Sequence, residues 1–214
     1  MSDIVLEQTE RTRIHRLPER GSYDRAAIDA ILDEALICHV GFVAGGRPVV
    51  IPTIHARVGD ALYFHGSPAA GMLRNLRQGG EACVTVTIVD GLVLARSAFH
   101  SSMNYRSVVV FGKAEEVTDP AEKTRVLDAL VEHVCRGRAK DARTPNEKEL
   151  QQTLVLRIPI REASAKIRTG PPKDDDEDYA LPVWAGVLPL TLTPGAAIPD
   201  NAQPLPDYVL RYRR

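Results

Sequence analysis

Residues 37–66 read ICHVGFVAGGRPVVIPTIHARVGDALYFHG. Runs rich in Val, Ile, Phe and Tyr are separated by turn signals at Ala44-Gly45-Gly46-Arg47 and Gly59-Asp60, a spacing that predicts three antiparallel strands in a meander. Pro52 has no N–H to give to a ladder, which places its strand at a sheet edge or at a bulge. Upstream, Ile28, Ile31, Leu32, Ala35 and Leu36 recur at helical spacing behind Asp24, a good N-cap, and predict a helix running to about residue 36.

Downstream, the third strand runs into YFHGSPAAGMLRNL (63–76). Ser67 stands where an N-cap belongs and Pro68 where the first helical residue belongs, predicting a helix over about 68–77. Unpaired N–H groups and the helix dipole make such an end a possible anion site, although the same pattern opens many helices that bind nothing. EACVTVTIV and LVLARSAF flank Asp90-Gly91, the dipeptide that most strongly signals a two-residue hairpin. A long strand, YRSVVVFGKAEEV, follows, and Asp119-Pro120 opens a helix with Leu127, Leu130, Val131 and Val134 on one face. Two more strands, over 153–160 and 163–169, complete a mainly β chain of about seven short strands. Their hairpin links predict a small antiparallel barrel with peripheral helices, because a doubly wound parallel sheet needs a helix between every strand pair.

Residues 1–170 form one domain in this reading, with an N-terminal arm, and 171–214 form an extended tail holding more than half of the fifteen prolines. The acidic run 173–178 reads as a solvated loop. LPVWAGVLPL carries the single Trp, Trp184, an apolar surface that the barrel or a second subunit has to cover.

The 214 residues, 44% hydrophobic and 26% charged, carry a formal net charge of −1. That balance gives no electrostatic reason to expect a nucleic-acid or anionic-membrane partner. Cys38, Cys83 and Cys135 are odd in number and far apart, which suggests neither a disulfide framework nor a metal site and fits a reducing cytoplasm. No apolar run is long enough to span a bilayer, and MSDIVLEQTE lacks the apolar core of a signal peptide.

GxxxxGK[ST], GxGxxG, GxSxG and HExxH are all absent, so phosphate-loop, dinucleotide-fold, serine-hydrolase and zinc-peptidase chemistries fall away. Among the histidines, His39 and His55 sit in apolar strands as core or rim groups, and His15 and His133 read as surface positions. His65 directly precedes the candidate anion turn, where its ring can face a ligand near neutral pH. A second polar stretch, His100, Ser101, Ser102, Asn104, Tyr105 and Arg106, lies at the mouth of the apolar run VVVFG. Tyr and Arg there suit a planar, phosphorylated ligand, and a solvated loop explains the polarity equally well.

Taken together, RIHRLPERGSYDRAAIDAILDEALICHVGF, GRPVVIPT, DALYFHGSPAAGMLR, DGLVLARSAFHSSMNYRSVVVFGKAEEV and VWAGVLPL resemble the flavin-nucleotide-binding branch of the pyridoxamine 5′-phosphate oxidase-like superfamily, related to 5-nitroimidazole resistance reductases. The resemblance covers about residues 11–210. It implies a split β-barrel and an obligate homodimer with FMN bound at two sites between subunits. By position, His65, Gly66 and Ser67 match the segment approaching the FMN phosphate and ribityl chain, and Val50, Ile51, Pro52 and Thr53 match the strand beside the ring. Ser102, Asn104, Tyr105 and Arg106 match the segment completing the pocket, in part from the other subunit, and Trp184 matches a tail residue that covers it. The resemblance also places His65 next to the flavin, as a candidate catalytic residue. One departure stands out: Ala70-Gly71-Met72 occupies the place of a basic residue after the phosphate turn, and Arg74 is the nearest substitute cation.

The implied function is an FMN-dependent oxidoreductase that takes electrons from NAD(P)H and reduces a small planar acceptor such as a nitro-aromatic. No dedicated catalytic base and no metal are required. Two alternatives remain: a non-catalytic flavin- or haem-binding barrel, with His65 or His100 as haem ligand, and a ligand-free dimeric scaffold docking through its acidic tail.

Overall fold

A computed structural model describes residues 4–213. Eleven strands and five α-helices follow one another: β1 (Gly21–Ser22), α1 (Arg25–Glu34), β2 (Ile37–Ala44), β3 (Arg47–Ile54), β4 (Ala56–Val58), β5 (Ala61–Gly66), α2 (Gly71–Arg77), β6 (Glu81–Leu94), β7 (Ser102–Lys113), β8 (Glu115–Glu116), α3 (Pro120–Val134), α4 (Glu147–Gln151), β9 (Leu154–Pro159), β10 (Glu162–Arg168), β11 (Gly186–Pro189) and α5 (Asp207–Leu210). One antiparallel sheet has the order β1-β10-β7-β6-β2-β3, with β11 added to β6, and a second has the order β4-β5-β9-β8. The fold is the expected mainly β split barrel. Alternation does the sorting: Cys38, Val40 and Phe42 of β2, Val84 and Val86 of β6, and Val108 and Val110 of β7 point inward to meet Leu62, Phe64, Leu156 and Ile158 of the second sheet. Phe64 is fully buried at the centre, a burial that contributes about 2–3 kcal/mol.

Helix α1 forms as its periodicity predicts. The Asp24 carboxylate accepts from the N–H groups of Ala26 and Ala27, and Ile28, Ile31 and Leu32 are buried. The second sheet packs α3 on its outer face, where Val126 and Leu130 meet Tyr63 and Val155. Asp119 caps α3 in the same way, accepting from Ala121 and Glu122 N–H.

Four expectations are corrected. The predicted meander divides between the sheets: β2 pairs with β3, β4 pairs with β5, and the chain breaks at His55. His55 is fully buried, and its Nε2 lies 2.9 Å from the Leu32 carbonyl, so the corner is pinned to α1. Pro52 does lie on an edge strand, β3.

Asp90-Gly91 is not a turn. Strand β6 runs through it with only a register shift, and the chain reverses at residues 95–101. Gly91 instead permits a close approach of β11: a Cβ there would stand 3.0 Å from the Leu188 carbonyl oxygen.

Helix α2 begins at Gly71, three residues later than its sequence suggests. Its N-cap is Ala70, with no side-chain cap. Ser67 and Pro68 form a preceding turn in which the Ser67 hydroxyl accepts from Ala69 N–H and the Ser67 carbonyl accepts from Ala70 N–H.

The acidic run is also only partly solvated. The Asp174 carboxylate is wholly covered and accepts from Arg96 N–H at 2.9 Å, Ser97 N–H at 3.2 Å and the Arg96 guanidinium at 3.2 Å. It clasps the tail to the 95–101 turn. No helix among the described residues is long and apolar enough to cross a membrane.

Candidate functional site

Between the edge strand β3, the end of β5 and the helix α2 lies a cavity of about 760 Å³. Val49, Ile51 and Thr53 form one wall, and His65, Gly66, Gly71, Met72 and Arg74 form the other. Period-2 geometry explains which residues of β3 reach it: the odd-numbered side chains face in, whereas Val50 and Pro52 point away. As an edge strand, β3 also presents backbone N–H and C=O groups that lack a sheet partner among the described residues. A Cβ on Gly71 would meet nothing within 4 Å, so its bare backbone opens space beside the helix start. Asn75 Nδ2 donates to the Val43 carbonyl at 2.9 Å and fixes α2 against β2.

The two candidate cations have different environments. Arg74 is exposed at the cavity wall and pairs with no carboxylate among the described residues. Arg106 is committed: its guanidinium bonds Glu34 through Nη1 and through Nη2 at 2.8 Å, and Asp90 at 2.9 and 2.7 Å. Its hydrogen bonds to the carboxylates of Glu34 and then Asp90 raise its pKa further above the ordinary arginine value. It lines a separate cavity of about 400 Å³ with Thr87, Asp90 and Leu190. Within its own protomer the Arg106 guanidinium is thus engaged by two carboxylates.

His65 continues the alternation of β5. Leu62 and Phe64 enter the barrel core, while Ala61, Tyr63 and His65 face the α3 side. Its ring lines the first cavity and also a second, largely apolar one of about 440 Å³, bounded by Ile54, Leu127, Leu130, Val131, Val134 and Arg138 among others. Val131 and Val134 belong to the predicted apolar face of α3, yet at 36% and 37% exposure they face this opening and not the core. The His65 side chain makes no hydrogen bond among the described residues, and desolvation by the surrounding protein lowers its pKa. The imidazole is thus neutral at pH 7, open to solvent through the cavity, with a free nitrogen lone pair.

The polar mouth of β7 does not join these residues within one protomer. Neither Ser67 nor any of Ser102, Asn104, Tyr105 and Arg106 lines the 760 Å³ cavity. Asn104 is nearly buried, and its Nδ2 donates to the Gly170 carbonyl at 3.1 Å while its Oδ1 accepts from Arg168, a bond that anchors the start of the tail. Trp184 is 68% exposed, with its indole folded over Gly186. His133, read as a surface residue, is instead half-buried, with Nε2 2.8 Å from the Ala35 carbonyl. Phe42, Val49 and Asn75 were not singled out from sequence: the signal for them was the inward phase of β2 and β3, and the docking of α2 on β2.

Residues 24–167 match the family model described as pyridoxamine 5′-phosphate oxidase. The chain belongs to the pyridoxamine 5′-phosphate oxidase family. Among solved structures, the flavocytochrome Anf3 from Azotobacter vinelandii is 40% identical and superposes with a TM-score of 0.87 over 96% of this chain and 97% of that one. The FAD and haem binding protein from Mycobacterium smegmatis is 42% identical, with a TM-score of 0.85 over 89% and 96%. A candidate 5-nitroimidazole antibiotic resistance protein from Bacteroides thetaiotaomicron is 26% identical, with a TM-score of 0.59 over 69% of this chain and 86% of that one. No curated protein matches the chain. The likeness to these proteins runs through most of both chains in each case.

Proposed function

We propose that the chain is a homodimeric redox protein that binds a flavin nucleotide in the cavity between β3, β5 and α2 and a haem in the apolar cavity beside α3. The carrying observation is that His65 lines both cavities with a neutral, unpartnered imidazole. Two proteins named for flavin and haem together, at 40% and 42% identity, support the same reading.

Val49, Ile51 and Thr53 supply a flat wall for a planar ring, and the free edge of β3 supplies main-chain partners for ring heteroatoms. Arg74 supplies the cation for phosphate, in place of the basic residue missing at Gly71-Met72. Ile54, Leu127, Leu130, Val131 and Val134 suit an apolar macrocycle, and Arg138 at the same cavity suits its anionic edge. His65 would supply an imidazole nitrogen to hold the haem iron. When bound, the flavin would supply two-electron chemistry, with a nicotinamide nucleotide as donor, and the haem would supply one-electron chemistry. The terminal acceptor in this reading is a small planar molecule such as a nitro-aromatic. In the dimer, Ser102 and Tyr105 close the flavin cavity from the partner subunit, and Trp184 covers its mouth. Three free cysteines suit a reducing cytoplasm.

The test is His65→Ala in protein reconstituted with both groups. The reading predicts loss of the intense haem Soret band, or a marked shift in it, with the two flavin bands retained. An unchanged Soret band would remove His65 from the residues that hold the haem.

A further inference from the structure

Away from the cavities, the Asp174 clasp brings a second set of donors together. His100 lies on the 95–101 turn, and its Nε2 is 3.2 Å from Asp175 Oδ2. Asp178 lies one short turn further along the 3-10 segment Asp176–Ala180. One donor atom each from His100, Asp175 and Asp178 lies within 4.8 Å of the others. Donors held at about 2.0–2.2 Å from one small divalent ion stand roughly 3 Å apart, so only a slight contraction is needed to close this set on a metal.

Three physical features favour a cation here. The donor set mixes an imidazole with two carboxylates, a combination suited to borderline divalent ions such as zinc, where purely acidic clusters suit harder ions. The segment is rich in negative charge that is offset only in part: Asp174 is bonded to Arg96, but Asp176, Glu177 and Asp178 pair with no basic side chain among the described residues. The two segments are also already docked, through Asp174 and through the Arg96 guanidinium 4.9 Å above the Tyr179 ring, so binding orders little additional chain. The Phe99 ring stands edge-on to His100, with ring centroids 5.2 Å apart.

We propose that His100, Asp175 and Asp178 bind one divalent transition-metal ion of the zinc class, which fastens the C-terminal tail to the turn between β6 and β7. The role is structural: the site lines neither the flavin nor the haem cavity proposed above.

The experiment is calorimetric titration of the chelator-treated full chain with zinc chloride at pH 7.5, with limited proteolysis of the tail in parallel. One saturable site per chain is expected. His100→Ala and Asp178→Asn should each weaken it by at least about tenfold. Asp176→Asn removes the same charge from a residue outside the set and should leave affinity unchanged. Zinc should slow tail cleavage in the parent protein and not in His100→Ala. Should either variant melt early without metal, the isosteric Asp175→Asn takes its place, with the same loss expected. Absence of saturable binding, or equal weakening by Asp176→Asn and Asp178→Asn, would overturn the proposal.

Discussion

Arg106 Nη2 donates to Glu34 Oε1 at 2.8 Å, tying the middle of β7 to the last residue of α1. Asp90 takes the other side of the same guanidinium. A carboxylate at a helix C-terminus faces the negative end of the dipole, and the arginine offsets that repulsion. Arg106 is therefore a structural cation, and Arg74 is the free one.

The two arginines should separate cleanly on mutation. Arg74→Ala removes a charge-assisted contact of roughly 1.5–3 kcal/mol and should weaken flavin binding about ten- to a hundredfold with little change in melting temperature. Arg106→Ala should destabilise the fold by about 1–2 kcal/mol, between the exposed and buried limits for an ion pair. Its flavin affinity should stay within a factor of about three. Flavin fluorescence titration and thermal melts read the two effects, and the reverse pattern would restore Arg106 to the site.

His65 sets a pH dependence with a definite sign. Its pKa is lowered in the fold by desolvation, so in the window below the ordinary value of about 6.5 the unfolded chain binds more protons than the folded one. The contribution to stability is complete above that window and is lost as pH falls through the folded pKa. Ligation through the neutral ring follows the same course, flat above pH 6.5 and declining below it. His65→Gln should flatten the acid limb of the stability curve, measured by denaturant melts across the window.

Asp174 should govern the tail. Burial pushes its carboxyl up, but the hydrogen bonds from Ser97 N–H and from Arg96 outweigh that effect and leave the pKa below the ordinary aspartate value. The clasp is thus intact above the unfolded aspartate pKa and opens as pH falls through the folded one. Asp174→Ala should release residues 170–214 at neutral pH, read as cleavage of the tail several times faster than in the parent protein. Equal cleavage rates would mean that β11 and the other tail contacts hold it without the clasp.

Trp184 leaves 68% of its surface open in one protomer. In the proposed dimer that surface is covered, so Trp184→Ala should raise the dimer dissociation constant and increase quenching of bound flavin by solvent. Sedimentation and flavin fluorescence identical to the parent protein would place the tail away from the interface.

Much of this was legible in local pattern. The α1 and α3 caps at Asp24 and Asp119, the alternation in β2, β6 and β7, and the edge position of Pro52 all follow from side chains acting on their own neighbours. The misreadings share a cause, which is contact with residues distant in sequence. Asp90-Gly91 looks like a turn until β11, nearly a hundred residues later, lies across it. The second run of the apparent meander breaks because His55 binds Leu32 at the corner between sheets. Arg106 looked available because Glu34 lies 72 residues away in the chain. For the site, the place of His65 just before the turn was enough to single it out, but the sequence offered Val50, Ile51, Pro52 and Thr53 as one run, of which Ile51 and Thr53 line the cavity. The second cavity depended on how α3 docks, which no local signal carries.

Reconstitution decides the central proposal. Chain stripped of cofactor should be titrated with flavin and then with haem while the absorption spectrum is recorded. Saturable binding of one flavin per protomer, followed by one haem with an intense Soret band and no displacement of the flavin, is the predicted result. Mutual displacement of the two groups, or no saturable binding of either, would contradict it.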